Sequence, residues 1–438
     1  MLHYVKIVLK KTLPKSALEK LKAIVLNIKS IAFKVKIKRV QANHKKALLL
    51  IKNKDKIKVA FFLIHDSVWK YEGVYRLMEK DERFEPIVVV CPYIVSGEET
   101  MLREMNQAYN SFTLKGYNVV KTYNENDKKW LNVKEEVQPD IVFFTNPHKL
   151  TKDEYYITNF LDCLTCYVQY SFHITYLHKA QYNQLFHNLL WKAFYETPMH
   201  EQYSKEYADN QGKNVIVTGY PGIDKLLDLN YKTTDPWKIE DRRIKRIIWA
   251  PHHTIEGEGA TLDFSNFLQY ADFMLEIANT YSEKIQITFK PHPILKPKLS
   301  KENQWGKQKT EEYYSTWENL SNGQLNESDY IDLFLTSDGM IHDSASFMTE
   351  YLYVKKPVLF TVKNESILNH FNDFGKLSFQ NHYHARNKNE IIQYIENTIL
   401  LGNDPMKESR ESFLKEFLLP PSGGNASKNI FEAIKAQL

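Results

Sequence analysis

The stretch at residues 338–360, DGMIHDSASFMTEYLYVKKPVLF, contains the pattern that decides the fold. A short apolar run ends in His-Asp-Ser-Ala-Ser, a helical pattern follows, and Lys-Pro leads into a second apolar run at 358–360. A strand that passes through small polar residues directly into a helix is typical of the β–α unit of an open parallel sheet. The stretch therefore predicts an α/β fold with a ligand site at the turn between strand and helix.

Short apolar runs of the same kind recur along the chain, separated by segments of helical length such as 99–115 and 151–163. Near-continuous hydrophobicity suits parallel strands that are buried on both faces. The alternation pauses at the polar segment 229–243, a candidate linker, and then resumes. We therefore predict two Rossmann-like domains with parallel sheets facing a central cleft. The predicted strands are 59–65, 86–92, 140–146, 165–170, 214–221, 246–251, 284–293, 338–343 and 357–361.

The bulk composition agrees with a globular protein of two domains. The chain has 438 residues, of which 43% are hydrophobic and 25% charged, and no apolar run is long enough to span a bilayer. Three cysteines, Cys91, Cys163 and Cys166, give no disulfide framework and favour a reducing compartment. The C-x-x-C pair has no second pair to complete a zinc site, so buried thiols are expected.

The basic residues are concentrated at the start of the chain. Residues 1–58 hold 17 Lys and Arg against two acidic residues, whereas the remaining residues hold 41 against 51. Apolar residues recur at helical spacing between lysines in this segment, which predicts an amphipathic helix on an anionic membrane surface. A helical arm packed on the body of the protein and phosphate contacts to nucleic acid are the alternatives, although no nucleic-acid module is found elsewhere. The apolar residues of the pattern are Leu18, Leu21, Val25, Ile28 and Ile31.

These observations predict four regions in chain order. They are a basic membrane-associating arm at 1–55, a first Rossmann-like domain at 56–232, a second Rossmann-like domain at 233–410 and C-terminal helices at 411–438.

The candidate site lies at the predicted strand ends, because ligands bind outside the carboxyl ends of strands in open parallel sheets. Several of these positions are histidines or small hydroxyl residues, and positions from both domains are expected to converge on one cleft. In the first domain they are His65, Ser67, His173 and Gly222; in the second they are His252, His253, Lys290, His292, Asp343, Ser344, Ala345 and Ser346.

The turn at 343–346 predicts an anion site. A helix that begins near Ser344 leaves its first backbone N–H groups unpaired, and these groups together with the helix dipole attract phosphate. The hydroxyl groups of Ser344 and Ser346 can donate as well. Glu350, expected about two turns into the helix, can accept the hydroxyl groups of a ribose. Simple capping by Asp343 and the serines is the structural alternative.

Histidines carry the candidate chemistry. Flanking prolines aim the ring of His292, which can donate to a phosphate oxygen or protonate a leaving group. His173 is a candidate base for an acceptor hydroxyl, with a satisfied core histidine as the alternative. The adjacent His252 and His253 are expected to point in different directions, and no metal or other cofactor is expected. Neither a P-loop nor a G-x-G-x-x-G fingerprint is present.

Four motifs together carry a family resemblance. The series GYPGIDKLL (219–227), IIWAPHHT (247–254), ITFKPHP (287–293) and IHDSASFMTEYLYVKKPVLF (341–360) resembles, in content and order, the CDP-glycerol glycerophosphotransferases. These are teichoic-acid-type polymerases and primases, and the resemblance covers about residues 160–362. The chain departs from the family twice. The family's Q-T-W-H-G-T reads QYSFHIT here, without the glycine, and the arginine after the A-P strand end is absent near His253 and Thr254.

The resemblance implies a GT-B fold and a transferase, in which 56–232 is the acceptor domain and 233–410 the nucleotide-donor domain. His292 matches the family's histidine at the donor phosphates, and His173 matches its first-domain base. Ser344 and Ser346 fall in the family's phosphate-binding segment. Glu350 stands where the family has an Asp. The implied reaction moves a polyol phosphate, glycerol phosphate in the first place, from a CDP-activated donor to a hydroxyl of a lipid-linked glycan or growing polymer. The implied location is the cytoplasmic face of the bacterial inner membrane, where the basic arm would bind peripherally.

Two other functions stay open from the sequence. The D-S-x-S…E and P-H-P features also resemble the second domain of UDP-N-acetylglucosamine 2-epimerases and of GT-B glycosyltransferases that use a UDP-sugar. A non-catalytic GT-B-like scaffold is the second alternative. The sequence does not distinguish glycerol phosphate, ribitol phosphate or a sugar as the transferred unit.

Overall fold

The computed structural model describes residues 15–95, 97–255, 264–327 and 329–438. Two parallel sheets follow one another along the chain, as predicted. The strands of the first half are β1 (Ile57–Leu63), β2 (Phe84–Val90), β3 (Val119–Lys121), β4 (Tyr123–Asn124), β5 (Lys129–Trp130), β6 (Ile141–Phe144), β7 (Leu164–Val168), β8 (Lys192–Tyr195) and β9 (Val215–Val217). Those of the second half are β10 (Lys245–Ala250), β11 (Ile285–Phe289), β12 (Gly323–Leu325), β13 (Gly339–His342), β14 (Val358–Thr361) and β15 (Tyr383–Ala385).

The first sheet has the strand order β3-β2-β1-β6-β7-β8-β9, and the second has the order β12-β11-β10-β13-β14-β15. The pairs within both sheets are parallel, and β4 and β5 form a separate antiparallel hairpin. Each of the nine predicted apolar runs overlaps one of these strands. The strands β3, β4, β5, β8, β12 and β15 were not predicted, because two to four residues outside a longer apolar run carry too little periodicity to be distinguished from adjacent segments.

Helices cover the faces of both sheets. Those up to the end of the first sheet are α1 (Lys15–Ile51), α2 (Glu72–Lys80), α3 (Glu98–Leu114), α4 (Val133–Glu136), α5 (His178–Tyr182), α6 (Leu185–Leu189) and α7 (Pro198–Tyr207). The remaining ones are α8 (Asp224–Leu227), α9 (Phe267–Thr280), α10 (Leu295–Leu299), α11 (Gly306–Asn319), α12 (Ile331–Thr336), α13 (Phe347–Glu350), α14 (Asp373–Gln380), α15 (Lys388–Gln393), α16 (Lys407–Phe413) and α17 (Ala426–Lys435).

One prediction about connecting segments needs correction. The helix expected at 151–163 is wrong, since only short 3-10 turns form there, at Asp153–Tyr155 and Ile157–Asn159. The segment places large buried side chains on several sides rather than on one helical face. The polar segment 229–243 lacks helix and strand, but it is packed rather than free: Asp235 accepts a hydrogen bond at 2.9 Å from the guanidinium of Arg246, which is buried.

The long helix α1 has two different halves. Its C-terminal half buries Ile37, Val40, Ala47 and Ile51 at helical spacing against the first domain. Its N-terminal half leaves large apolar side chains exposed, namely Ile24, Val25, Ile28, Ile31 and Val35. Residues 1–14 of the predicted arm, and the side chains of Leu18 and Leu21, lie outside the described residues. Among the described helices, none has the length and apolar character needed to cross a bilayer.

The C-terminal helix α17 returns to the first domain. Both carboxylate oxygens of Asp224 accept backbone N–H groups at the start of α17, from Ala426 and Ser427, at 2.9 Å each. Gly219 adopts φ +87°, and a Cβ there would lie 2.8 Å from Pro420. The GYPGID motif therefore has a structural role in this chain, because it docks the C-terminal segment on the first domain.

The two sheets share one hydrophobic core cluster in addition to separate ones, so the domains are packed together. Phe172 of the first domain stacks on Phe374 of the second, with ring centroids 5.8 Å apart. Thr175 forms an isolated antiparallel bridge with Phe371. These contacts bring the loop after β7 against the second domain, beside the carboxyl ends of its strands.

Candidate active site

Three histidines meet at the carboxyl edge of the second sheet. His252 and His253 follow β10, and His292 follows the neighbouring parallel strand β11. The ring of His253 lies 4.3 Å from each of the other two rings, and those two are 5.2 Å apart. The expectation that His252 and His253 point in different directions is wrong, because both rings face the turn that carries His292.

Burial keeps these three imidazoles neutral. It lowers the pKa of His292 to about 3, that of His253 to about 4 and that of His252 well below its usual value. Thr254 Oγ1 lies 3.0 Å from His252 Nδ1, and His292 Nδ1 accepts the N–H of Ile294 at 3.2 Å. These contacts fix two of the rings.

The histidine cluster has the spacing of a metal site, since one ring nitrogen from each residue lies within 4.8 Å of the others. Its surroundings favour an anion instead. Lys298 donates to the carbonyl oxygen of His253 at 3.2 Å, and its positive charge lowers the pKa of all three rings. Lys290 is buried beside the same edge and donates to Asn326 Oδ1 at 3.0 Å, and burial lowers its pKa to about 8. A positive, partly dehydrated pocket of this kind attracts phosphate.

The helix that follows residues 343–346 begins later and is shorter than predicted. Ala345 and Ser346 form a turn, the single helical turn α13 begins only at Phe347, and a 3-10 turn at Tyr351–Val354 follows. The helix expected to begin near Ser344 has its first helical residue at Phe347, and the N–H of Met348 already donates to the carbonyl oxygen of Ser344 at 3.2 Å. The dipole of one turn is small. Residues 348–353 are all buried, so they fill the space between layers and present no polar helical face.

Asp343 does not cap its own helix. Its Oδ1 accepts the N–H of His252 at 2.5 Å, and its Oδ2 accepts the N–H of Asn266 at 2.6 Å. Burial raises the pKa of this carboxyl to about 7, and the two N–H groups oppose that shift. Asp343 therefore ties together the loops after β10 and β13, while Ser344, Ala345 and Ser346 stand at the start of the turn.

Glu350 lies between the domains. It is buried, its Oε1 is 3.5 Å from the hydroxyl of Tyr220, and its Oε2 has no hydrogen-bond partner among the described residues. Burial raises the pKa of this carboxyl, and the charge of Lys70 opposes the increase. Lys70 Nζ also lies 3.3 Å from the hydroxyl of Tyr330. The hydroxyl of Tyr330 also interacts with this carboxylate, which is buried at the contact between the domains.

His173 lies in the loop after β7 and is buried. Burial and the neighbouring histidines hold its pKa well below its usual value, so the ring is a neutral proton acceptor at pH 7. Its carbonyl oxygen accepts a hydrogen bond at 2.8 Å from Nδ2 of Asn372, a residue of the second domain. The ring of Phe371, next to Asn372, lies 5.8 Å from that of Phe264, which is 6.0 Å from His252. Aromatic contacts therefore connect the loop of His173 to the histidine cluster of the second domain.

The acceptor-side positions fall in different places. His65 is partly exposed, 3.6 Å from Glu104 Oε2 and packed edge-on against Tyr93. Ser67 lies in a 3-10 turn at Asp66–Val68, and its side chain is outside the described part. Gly222 lies beside Lys70 and Tyr220, where a Cβ would approach both side chains to 2.9 Å. Gly222 therefore belongs to the contacts around Glu350 rather than to an open acceptor pocket.

The three cysteines are free and buried, in agreement with the expectation of buried thiols. Burial raises the pKa of Cys163 to about 12 and that of Cys166 well above its usual value, so both are protonated and unreactive.

Sequence reasoning missed three polar residues near His173. They are Gln169 at the end of β7, Glu196 at the end of the unpredicted β8, and Asn372 in a loop without a motif. An acidic residue directly after the apolar KAFY at 192–195 was the available signal for Glu196. No local pattern identifies Asn372, because its three partners are residues 173, 175 and 375, two of them from the other domain.

Comparison with solved structures shows the class of fold. The wall teichoic acid polymerase TagF, in a His-to-Asn variant, matches with a TM-score of 0.55 at 15% identity over 96% of each chain. The MnaA protein of S. aureus, solved with UDP, matches with 0.55 at 15% identity over 86% of this chain and 96% of that one. A putative UDP-N-acetylglucosamine 2-epimerase from Listeria monocytogenes gives 0.56 at 19% identity, over 87% and 96%. The fold is therefore GT-B, as the sequence resemblance implied.

The sequence comparison shows the family. The profile of CDP-Glycerol:Poly(glycerophosphate) glycerophosphotransferase matches residues 194–436, more than half of the chain, and the chain belongs to this family. Two curated relatives are the teichoic acid ribitol-phosphate polymerases TarL and TarK of Staphylococcus aureus (strain NCTC 8325 / PS 47). They are 25% identical over 194 residues and 24% identical over 196 residues, in each case 38% of this chain. The matched segments are 30% and 33% of those proteins, so this chain spans about a third of their length.

Proposed function

We propose that the protein transfers a polyol phosphate, with glycerol phosphate as the first candidate, from a CDP-activated donor to a hydroxyl of a lipid-linked glycan or growing polymer in bacterial envelope assembly. The observation that carries the proposal is the positive edge of the second sheet, where three histidines and two lysines meet the turn at 343–346. Family membership supports a CDP-polyol donor in wall polymer synthesis.

The donor would lie along the edge of the second sheet. The histidine cluster and the backbone of the turn at Ser344–Ser346 would hold its two phosphates. Glu350 would accept the ribose hydroxyl groups. Lys290 and Lys298 would offset the negative charge that the phosphates bring into a buried site.

The reaction would be an in-line displacement at the polyol-bearing phosphorus. His173 would take the proton of the acceptor hydroxyl, and the resulting oxygen would attack the phosphorus as the bond to the CMP oxygen breaks. CMP would leave with the negative charge, which the histidine cluster and the lysines stabilise. Catalysis of this kind depends mostly on positioning and on stabilisation of charge.

Thermal stabilisation by ligands tests the donor. CMP and CDP-glycerol should raise the melting temperature more than UDP and UDP-N-acetylglucosamine, because a ligand that binds the native state stabilises it. His292→Ala should weaken the shift, whereas the control His370→Ala, at an exposed histidine outside the cluster, should leave it unchanged. A shift with uridine ligands alone would contradict the proposal and favour the epimerase or glycosyltransferase function, which the shared fold and the D-S-x-S…E and P-H-P features also support. No shift with any nucleotide would favour a scaffold.

We also propose that the N-terminal half of α1 binds an anionic membrane at the cytoplasmic face. Its exposed Ile24, Ile28 and Ile31 recur on one side of a helix rich in lysine, while the other half packs on the protein. Substitution of these three by serine should abolish sedimentation with phosphatidylglycerol vesicles. Serine at the exposed Leu49 and Leu50 of the same helix is the matched control and should have little effect. Equal binding by both variants would contradict the proposal.

A further inference from the structure

The loop that leads from β10 to α9 carries two of the three clustered histidines, and one side chain joins its two ends. His252 and His253 lie near the start of this loop. Asp343 Oδ1 accepts the N–H of His252 at 2.5 Å, and Asp343 Oδ2 accepts the N–H of Asn266 at 2.6 Å. This pair of hydrogen bonds, which we call the clamp, draws the end of the loop back to its beginning.

Further hydrogen bonds hold the same two ends together. Thr254 Oγ1 accepts the N–H of Phe264 at 3.0 Å and lies 3.0 Å from His252 Nδ1. The side chain of Asn266 donates through Nδ2 to the carbonyl oxygen of Thr361, at the end of β14, at 2.9 Å. Thr254, Phe264 and Asn266 are all buried. The ends of the loop are therefore fixed against β13 and β14 as well as β10.

Both oxygens of Asp343 act as acceptors in the clamp. A protonated carboxyl carries its hydrogen on one oxygen, which is then a poor partner for an N–H group, so two short N–H contacts fit the ionised form. Burial raises the pKa of Asp343 to about 7, and the two N–H groups, the hydroxyl of Thr361 and the charge of Lys363 oppose the increase. At pH 8 the carboxyl is therefore mostly ionised and can accept both hydrogen bonds.

The third histidine of the cluster is tied to the start of the same loop. The N–H of His292 donates to the carbonyl oxygen of Pro251 at 3.1 Å. Pro251 directly precedes His252, the residue that Asp343 holds. The spacing of the three rings therefore depends on where the loop starts, and the clamp fixes that position.

We propose that Asp343 is a positioning residue that does not touch the donor: it clamps the two ends of the loop between β10 and α9 and so holds His252 and His253 against His292. A loop released from Asp343 would let these rings move apart, and the phosphate site would lose its convergent groups. The clamp itself stands on the hydrogen bonds. That the histidine cluster binds the donor phosphates rests on the proposed function.

Asp338 offers a matched control on the same pair of strands. It precedes β13 at the opposite edge of the sheet, and its Oδ2 accepts the N–H of Arg246, near the start of β10, at 2.9 Å. Asp338 therefore joins the amino ends of β10 and β13 by the same kind of bond that Asp343 makes at their carboxyl ends. A change at Asp338 separates the general loss of stability from the loss of the clamp.

Calorimetric titration with CMP at pH 8 measures the effect on the site. Asp343→Asn keeps the size of the side chain but replaces one acceptor oxygen by a donor NH2 group, so one N–H loses its partner. The Kd of CMP should rise at least about tenfold. In Asp338→Asn it should stay within about twofold, because that residue lies away from the histidines.

Hydrogen exchange of the protein without ligand measures the clamp directly. The backbone amides of His252 and Asn266, followed by mass spectrometry of short overlapping peptides, should exchange faster in Asp343→Asn and at the wild-type rate in Asp338→Asn. Weaker CMP binding with unchanged exchange at these two amides would overturn the inference, since Asp343 would then contact the donor itself. Unchanged CMP affinity in Asp343→Asn, or equal losses in both variants, would also overturn it.

Thr254 provides a second test if Asp343→Asn does not fold. Thr254→Val removes the oxygen that accepts the N–H of Phe264 and should weaken CMP binding, whereas Thr254→Ser keeps the acceptor and should retain most of the affinity. Equal affinity in these two variants would overturn the inference. Faster exchange in Asp343→Asn, in a protein whose wild type binds neither CMP nor CDP-glycerol, would instead contradict the proposed function and leave the clamp intact.

Discussion

Both sheets place histidines at their carboxyl edges, but the two edges surround them differently. At the first edge, His173 is connected through Gln169 to the carboxylate of Glu196. At the second, His252, His253 and His292 lie among lysines, serines and backbone N–H groups. An imidazole that a buried amide and a carboxyl group hold in one orientation suits proton transfer. Neutral imidazoles near ammonium groups suit an anion. The same residue type therefore has two roles, decided by its neighbours.

The largest expected effect separates these two roles. His173→Ala should lower the rate of CDP-glycerol turnover by about 10²- to 10⁴-fold, the usual contribution of a general base, and keep the thermal shift with CMP. His292→Ala should lower both the rate and the shift. Measurement of both quantities on both variants is decisive, since a lost nucleotide shift in His173→Ala would show that the two edges do not have separate roles.

A smaller effect on turnover is expected at Asn372, the residue of the second domain that holds the loop of His173. Asn372→Ala removes hydrogen bonds to the carbonyl oxygens of His173 and Thr175 and to the N–H of Gly375. Unpaired buried groups of this kind cost about 1–3 kcal/mol, so the free energy of unfolding in urea should fall by that amount. Turnover should fall more than CMP binding does. The exposed neighbour Asp373, changed to Asn, is the control, and an equal loss there would argue against a specific anchor.

A lower pH should destabilise the protein to a similar extent through buried histidines at the carboxyl edges of both sheets. Burial lowers the pKa of His200, at the first edge, and of His342, at the second, to about 3 each. The unfolded chain, with histidine near pKa 6.5, therefore binds more protons below pH 6.5 than the native state does. The contribution of these two neutral rings to the free energy of unfolding is fully present above pH 6.5. It is lost as the pH falls from 6.5 toward 3, by up to about 1.4 kcal/mol per pH unit for each ring.

Urea unfolding at pH 5, 6 and 7 measures this dependence. His200→Asn and His342→Asn should each reduce the slope by about the same amount. If only one variant changes the slope, the two edges differ in their protonation as well as in their neighbours.

The smallest expected effect concerns metal. Because Lys298 places a positive charge beside the histidine cluster, EDTA treatment should leave the thermal shift with CMP within error, and added Zn²⁺ should not increase it. Differential scanning fluorimetry on protein without an affinity tag measures both. A CMP shift that disappears with EDTA and returns with Zn²⁺ would mean that the cluster binds phosphate through a cation.

The sequence by itself determined the β–α repeats, and with them the two parallel sheets, since long apolar runs bounded by turn residues specify buried strands locally. It also determined which strand ends carry histidine and serine, because that follows from chain order alone. The short strand β8 and the shortness of helix α13 were not predictable in this way: few residues carry little periodicity, and neighbouring layers decide their conformation.

Only the tertiary structure decided how the histidines are used. Gln169, Glu196 and His173 are separated along the chain and meet because β7 and β8 are neighbours in one sheet. Asn372 reaches the loop of His173 across 199 residues. Burial then sets the protonation of each group, and burial depends on the packing of both domains together. The sequence therefore shows which roles a histidine could have. Only its neighbours in the folded protein show which role it has.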